Sequence, residues 1–263
     1  MTSPCRLGGS RVLVTRPNGQ SAHLCELIAA AGGSPVAFPT LEIQATADDD
    51  PTRPRLAEAW DFLLFVSRNA VDYGLPLLPP GASTAAGDAR PRIGAVGRAT
   101  AAALREHGMA PDLIPESGFD SEALLSLPAL TDVEGRRVLI VRGVGGRPLL
   151  AERLRERGAE VAYAEVYRRA LPAVDIDAHL GEWQQHLGFV TATSDEVLQN
   201  LCRMVGKSHQ AWLRTMPLVV MSERGGATAM QLGFRTVAVA PETSDEGIVE
   251  ALCRLALSLG RAH

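Results

Sequence analysis

With 263 residues, 46% of them apolar and 21% charged, the chain can bury two modest cores and is too ordinary in composition for a disordered protein. A net charge of −4 supplies no general field for nucleic acid, so an anionic ligand needs locally placed donors. No apolar run is long enough to cross a bilayer, and Met1–Ser10 lacks the apolar stretch of a signal peptide, which makes the cytoplasm the expected compartment and excludes a membrane partner. Cys5, Cys25, Cys202 and Cys253 are widely spaced with no C-x-x-C pair, and no H-x-x-x-H pair occurs, so reduced thiols and no metal site are expected.

In chain order, Val12–Thr15 reads as a strand, Arg16-Pro17-Asn18-Gly19 as a turn, and the next residues to Ala31 as a helix ended by Gly32-Gly33. Val36–Leu41 is extended, and the polar, proline-bearing Gln44–Pro54 is a loop. Strand Phe62–Val66 leads into a helix from Arg68 or Asn69 that stops at Pro76, and Gly81–Pro91 is a second loop. Strand Ile93–Val96, helix Ala99–His107 and strand Asp112–Ile114 follow, and Asp120-Ser121-Glu122 opens a short capped helix. Val138–Val141 suits a strand buried on both faces, Arg142-Gly143-Val144-Gly145-Gly146 breaks it, and an amphipathic helix with Leu149, Leu150 and Leu154 runs to Gly158. After the apolar-aromatic Val161–Tyr167, the alternation resumes from Leu187: a strand to Thr191, a helix from Ser194, strand Leu218–Met221, a helix from Glu223, strand Thr236–Ala240 and a last helix over about 245–259.

The pattern repeats. Val12 and Val138 are 126 residues apart and Gly97 and Ser222 are 125 apart, with Arg16 and Arg142 in the same place, so the chain is a tandem duplication of an α/β block. The expected fold is α/β: two parallel-sheet domains, each three-layered with helices on both faces. Two divisions fit this pattern. One cuts the chain after Thr131; the other is an exchange in which Trp60–Glu160 forms one domain, the first unit joins the later block, and Val36–Ile43 and Ala162–Arg169 are paired linker strands.

In such sheets ligands bind beyond the carboxyl ends of the strands. The turns there are Thr15-Arg16, Ser67-Arg68-Asn69, Gly97-Arg98-Ala99-Thr100, Arg142-Gly143, Thr193-Ser194 and Ser222-Glu223-Arg224. Each offers hydroxyls, arginines or the free N–H groups of a helix start, a set of donors for a polyanion. Capping explains the serines and threonines, but not arginine at helix starts, where the dipole disfavours it. The Arg142 turn departs from a dinucleotide fingerprint because Pro148 stands in place of the third glycine. There is no phosphate-binding P-loop, the only lysine is Lys207, and no Gly-x-Ser-x-Gly elbow exists. Catalytic side chains of the usual kinds are scarce.

At these residues the chain resembles the uroporphyrinogen-III synthase family. The resemblance rests on VLVTRP at 12–17, FPTLEI at 38–43, FVSRNAV at 65–71, AVGRATAAAL at 95–104, RRVLIVRGVGGRPLLAERLRERGAEV at 136–161, VYRR at 166–169 and SERGGATAMQLG at 222–233. It implies the exchanged arrangement: a discontinuous domain of residues 1–37 and 170–263, a second domain of residues 44–161, linker strands at 38–43 and 162–169, and a cleft. It implies cyclisation of hydroxymethylbilane, with inversion of ring D and loss of water, to uroporphyrinogen III. It further implies no cofactor, no nucleic-acid partner, a monomer, and a transient contact with hydroxymethylbilane synthase. By the same resemblance Tyr167 assists departure of the hydroxyl. Arg16, Ser67, Thr100, Arg142, Gly143, Arg147, Thr193, Ser194 and Ser222 then bind substrate. Gly225 stands where related sequences often have threonine, leaving its backbone N–H to serve. A non-catalytic module of the same fold binding a tetrapyrrole or another anionic small molecule is the alternative, and a nucleotide-dependent enzyme is disfavoured by Pro148.

Overall fold

The computed structural model of the protein describes residues 6–79, 90–118 and 120–261, so most of the expected Gly81–Pro91 loop lies outside the described residues. The chain begins with β1 (Arg11–Val14), α1 (Ala22–Ala30), β2 (Ser34–Ala37), β3 (Glu42–Ala45), β4 (Phe62–Phe65), α2 (Arg68–Gly74), β5 (Arg92–Ala95) and α3 (Arg98–Glu106). Next come α4 (Ser121–Leu125), β6 (Arg137–Gly143), α5 (Leu149–Glu156), β7 (Glu160–Ala170), α6 (Asp177–His186) and β8 (Leu187–Ala192). It ends with α7 (Asp195–Leu213), β9 (Leu218–Val220), α8 (Glu223–Gln231), β10 (Val237–Val239) and α9 (Asp245–Ser258). These elements form two compact units, Met1–Glu42 with Ala170–His263, and Ile43–Arg169.

The first unit holds a sheet of order β10-β9-β8-β1-β2, and its strand pairings are parallel. Alternation along each strand sends Leu13, Val190, Leu218 and Val220 to one face, against Leu180, Trp183, Leu198 and Leu201 of α6 and α7. Val12, Val14, Phe189 and Val219 go to the other face, against Leu24 and Ile28 of α1 and Ile248 and Leu252 of α9. The second unit has the order β3-β7-β6-β4-β5, with β7–β6, β6–β4 and β4–β5 parallel. Its strands bury Leu63, Phe65, Leu139 and Val141 on the side of α2 and α3, and Phe62, Leu64, Val138 and Ile140 on the side of α4 and α5. Apolar residues on both sides of a strand are what a parallel sheet covered by two helix layers demands.

Several expectations need correction. Gln44 belongs to β3 at the edge of the second sheet, and residues Arg53–Ala57 form a 3-10 turn, so Gln44–Pro54 is not wholly loop. Asp112–Ile114 shrinks to one parallel bridge, Leu113 with Gly94. α6 went unread because its buried side chains are only Leu180 and Trp183, too few to mark a stripe. Cys25 and Cys202 carry free thiols, but Cys253 is disulfide-bonded, against the expectation of reduced thiols.

Candidate active site

In the second sheet β4 connects to its neighbour β5 on one side, while β6 connects to β7 on the other. The connections therefore diverge between β4 and β6, and the carboxyl ends of these two strands form the switch point where an open α/β sheet leaves a crevice. A cavity of about 310 Å³ sits there, lined by Ser67 after β4, Arg142 and Gly143 at the end of β6, and Tyr167 of β7. The turn into α5 completes its wall with Val144, Gly145, Gly146 and Arg147. Gly145 has φ +75°, a conformation that side chains rarely adopt, and so keeps this turn tight.

Tyr167 is buried, and its phenol oxygen lies 3.1 Å from Oγ of Ser67. Ser67 is also the N-cap of α2, its Oγ accepting the Ala70 N–H at 3.0 Å. That bond uses an acceptor site of the serine and leaves its own proton available to the phenol. The ring of Tyr167 lies close against Gly143: a Cβ there would meet Cζ at 2.5 Å and Cε2 at 2.6 Å. Gly143 is therefore the residue type that admits the tyrosine.

Arg142 is buried, which a lone guanidinium does not tolerate. Its Nε and Nη2 donate to Oε1 of Glu165 at 3.1 and 2.9 Å, and Cζ lies 3.9 Å from the centroid of the Tyr163 ring. Arg147 is exposed on the cavity wall. Thr100 is buried within α3 and is not among the lining residues.

The switch point of the first sheet falls between β1 and β8. Here Thr15 and Thr191 staple the strands, each hydroxyl donating to a carbonyl across the pair: Thr15 to Thr191 O at 2.6 Å, and Thr191 to Leu13 O at 3.0 Å. Arg16 pairs with Asp245 at 2.6 Å, and His23 contacts the other carboxylate oxygen at 2.9 Å. Ser194 and Ser222 cap α7 and α8, accepting N–H bonds from Val197 and Gly225 at 3.2 Å each. The Gly225 N–H is thus used within the cap. Thr193 lies in the turn before Ser194 and is half-buried.

Of the sequence-predicted residues, Tyr167, Ser67, Arg142, Gly143 and Arg147 meet at one cavity. Thr100 stands apart from it in the same unit, and Arg16, Thr193, Ser194 and Ser222 belong to the other unit. Sequence reading missed Ser121, Tyr163 and Arg169 on the cavity wall, and Glu165 beside Arg142. A signal for Glu165 was present. Arg137 and Arg142 open and close RVLIVR, Glu160 and Glu165 open and close EVAYAE, and the parallel register sets each arginine against its glutamate. Among the described residues no group of three or more His, Cys, Asp or Glu side chains could hold a metal ion, and no helix is long and apolar enough to cross a membrane.

The family model described as uroporphyrinogen-III synthase HemD matches residues 22–250. The chain is 33% identical over 254 residues to uroporphyrinogen-III synthase of Salmonella typhimurium, covering 92% of this chain and 99% of that protein. It is 32% identical over 245 residues to uroporphyrinogen-III synthase of Escherichia coli, with the same coverage of 92% and 99%. Among solved structures, a mutant uroporphyrinogen III synthase from Thermus thermophilus matches with a TM-score of 0.57 at 19% identity, covering 95% of this chain and 99% of that one. The Helicobacter pylori uroporphyrinogen-III synthetase matches with a TM-score of 0.54 at 16% identity, again covering 95% and 99%. At these identities the two structures bear on the fold alone.

Proposed function

Because this chain belongs to the uroporphyrinogen-III synthase family, we propose that the carboxyl-end turns of its second sheet, with Tyr167 among them, take part in closing hydroxymethylbilane into uroporphyrinogen III. The chain is a cyclising lyase of tetrapyrrole and heme biosynthesis. The family match gives the non-catalytic binding module no support.

In this reading the hydroxyl of ring A leaves first, giving an electrophilic azafulvene. The substituted carbon of ring D attacks it, and the resulting spiro intermediate fragments and recloses with ring D inverted. A hydrogen bond to the departing oxygen lowers that first barrier. Tyr167 supplies the donor: with Ser67 giving its proton to the phenol oxygen, the phenolic proton is left for substrate. The observation that carries this assignment is the Tyr167–Ser67 contact of 3.1 Å at the switch-point cavity. The substrate also cyclises unaided without inversion, so holding one conformer is the larger part of the task. Ser67, Gly143 and Arg147 serve that end at the cavity, with Thr193, Ser194 and Ser222 as further substrate contacts. Arg16 and Arg142 bind carboxylate while sharing their charge with Asp245 and Glu165.

At the coarser scale, residues 1–37 with 170–263 and residues 44–161 act as two domains, and 38–43 and 162–169 as their linker strands. The support is that the chain passes between its compact units at 42/43 and 169/170. The enzyme works in the cytoplasm as a monomer. It receives its unstable substrate through transient contact with hydroxymethylbilane synthase.

Incubating the protein with hydroxymethylbilane, oxidising the products and separating porphyrin isomers tests the assignment. Isomer III is expected to predominate over the enzyme-free control, and Tyr167→Phe to lower kcat on the order of a hundredfold. Isomer I alone from the unaltered protein would overturn the function.

A further inference from the structure

Val166 and Tyr167 are neighbours in sequence, yet both pack in the core between the second sheet and α2–α3. Strict alternation would send them to opposite faces. The β6–β7 register accounts for the exception: Arg142 stands opposite Glu165, but Gly143 stands opposite Tyr167, so Val166 is an extra residue. Such a bulge re-aims the side chain that follows it. Without it, Tyr167 would face away from α2 and from Ser67 at its cap.

The bulge is tied on both sides at Glu165. On one side, Thr46 donates its N–H to Val166 O at 3.2 Å and its hydroxyl to Glu165 O at 2.8 Å. Thr52 Oγ1 accepts the Glu165 N–H at 2.8 Å. On the β6 side, the Glu165 carboxylate holds Arg142, whose guanidinium is backed by the Tyr163 ring. The side chains of Arg142 and Glu165 are 10% and 21% exposed, so the pair is poorly screened by solvent. It is also the last cross-strand side-chain tie before the register shifts.

We infer that Glu165 is a positioning residue for Tyr167: its ion pair with Arg142 holds the bulge that turns the phenol toward Ser67, and it acts on the reaction only through that phenol. The inference rests on the role given to Tyr167 above.

The test is a cycle of four proteins: unaltered, Glu165→Gln, Tyr167→Phe and the double variant. Each is assayed for kcat and KM in forming isomer III. Glu165→Gln is expected to lower kcat on the order of tenfold with KM changed less than about twofold. In the Tyr167→Phe background the same substitution should change kcat less than about twofold, because the group it positions is gone. A loss of equal factor in both backgrounds, or an effect on KM alone, would overturn the inference. Glu165→Gln leaves Arg142 buried without its counter-charge and could unfold the chain. In that case Arg142→Gln with Glu165→Gln, which leaves no charge unpaired, takes its place in the cycle; because Arg142 also contacts substrate, only kcat is read there, and a loss of equal factor with and without Tyr167 overturns the inference. Isomer I alone from the unaltered protein would instead remove the function, and the inference with it.

Discussion

A methyl group at position 143 would have to share space with the ring of Tyr167, since Cζ lies 2.5 Å from where that Cβ would stand. The ring is buried in the sheet–helix core and cannot swing into solvent, so either it or the strand end must move. Gly143→Ala should therefore cost stability of about 1–3 kcal/mol. It should also lower kcat on the order of a hundredfold, because the phenol moves by a fraction of the reach of a hydrogen bond or more. Thermal melting with steady-state kinetics separates the two, and a folded Gly143→Ala protein with full kcat would take the placement of this ring out of the mechanism. At this scale the sequence is only partly legible. The glycines after β6 announce a special turn, and Tyr167 is marked by the family resemblance. The partners of the arginines are another matter. Arg16 finds its acid in Asp245, brought to it by α9 from the far end of the chain, and nothing local in the sequence says so. Arg142 finds Glu165 through the β6–β7 register, which paired charges at both ends of RVLIVR and EVAYAE could have disclosed.

Serines cap helices throughout the chain, yet they do not all do the same work. Ser67 accepts the Ala70 N–H at the start of α2, and Ser244 accepts the Gly247 N–H at the start of α9, both at 3.0 Å. Loss of either hydroxyl strands one backbone donor, so Ser67→Ala and Ser244→Ala should each cost about 1 kcal/mol of stability. Only Ser67 also touches the phenol of Tyr167. Matched stability losses, with kcat reduced in Ser67→Ala and unchanged in Ser244→Ala, are expected from denaturant titration and the isomer assay. Equal kcat in the two variants would reduce Ser67 to a cap. The strand–turn–helix succession that sets up these caps is plain in the sequence, because an apolar β-branched run followed by a serine and a charged helix start reads locally. Elements without such marks are read only in part, as where the strand expected at 38–43 reaches β3 only at Glu42 and Ile43. β3 is a short strand at the sheet edge, so only one side of it is paired and no apolar run is needed. β7 is a different case: its aromatic and polar content marks it as an extended strand but not as a partner of β6, with which it pairs from Glu160 to Tyr167.

The two sheets repeat one plan in different chain segments. Strands run β9-β8-β1-β2 in the first and β5-β4-β6-β7 in the second, so β1 corresponds to β6 and β8 to β4, and the bridge at Leu113 stands where β10 does. Each sheet thus takes its strands from both halves of the duplicated sequence. The repeat itself is legible, since offsets near 126 survive in ordered turns; the exchange is not, because either pairing of halves buries the same kind of apolar strand. Each of the four apolar clusters among the described residues draws on one unit only: Leu13 and Val12 anchor two in the first, Leu63 and Leu64 two in the second. Residues 43–169 are continuous, hold both faces of their own sheet, and fall within the size of ordinary single domains. Expressed alone, this segment should fold and melt in a single cooperative transition, with native helix content by circular dichroism. The segment contains the Tyr167–Ser67 contact and Glu165, so amide exchange should find the β6–β7 amides protected to the level of its global stability. A segment that stays unfolded, or one whose β6–β7 amides exchange freely while the rest is protected, would mean that this end of the sheet depends on residues outside 43–169.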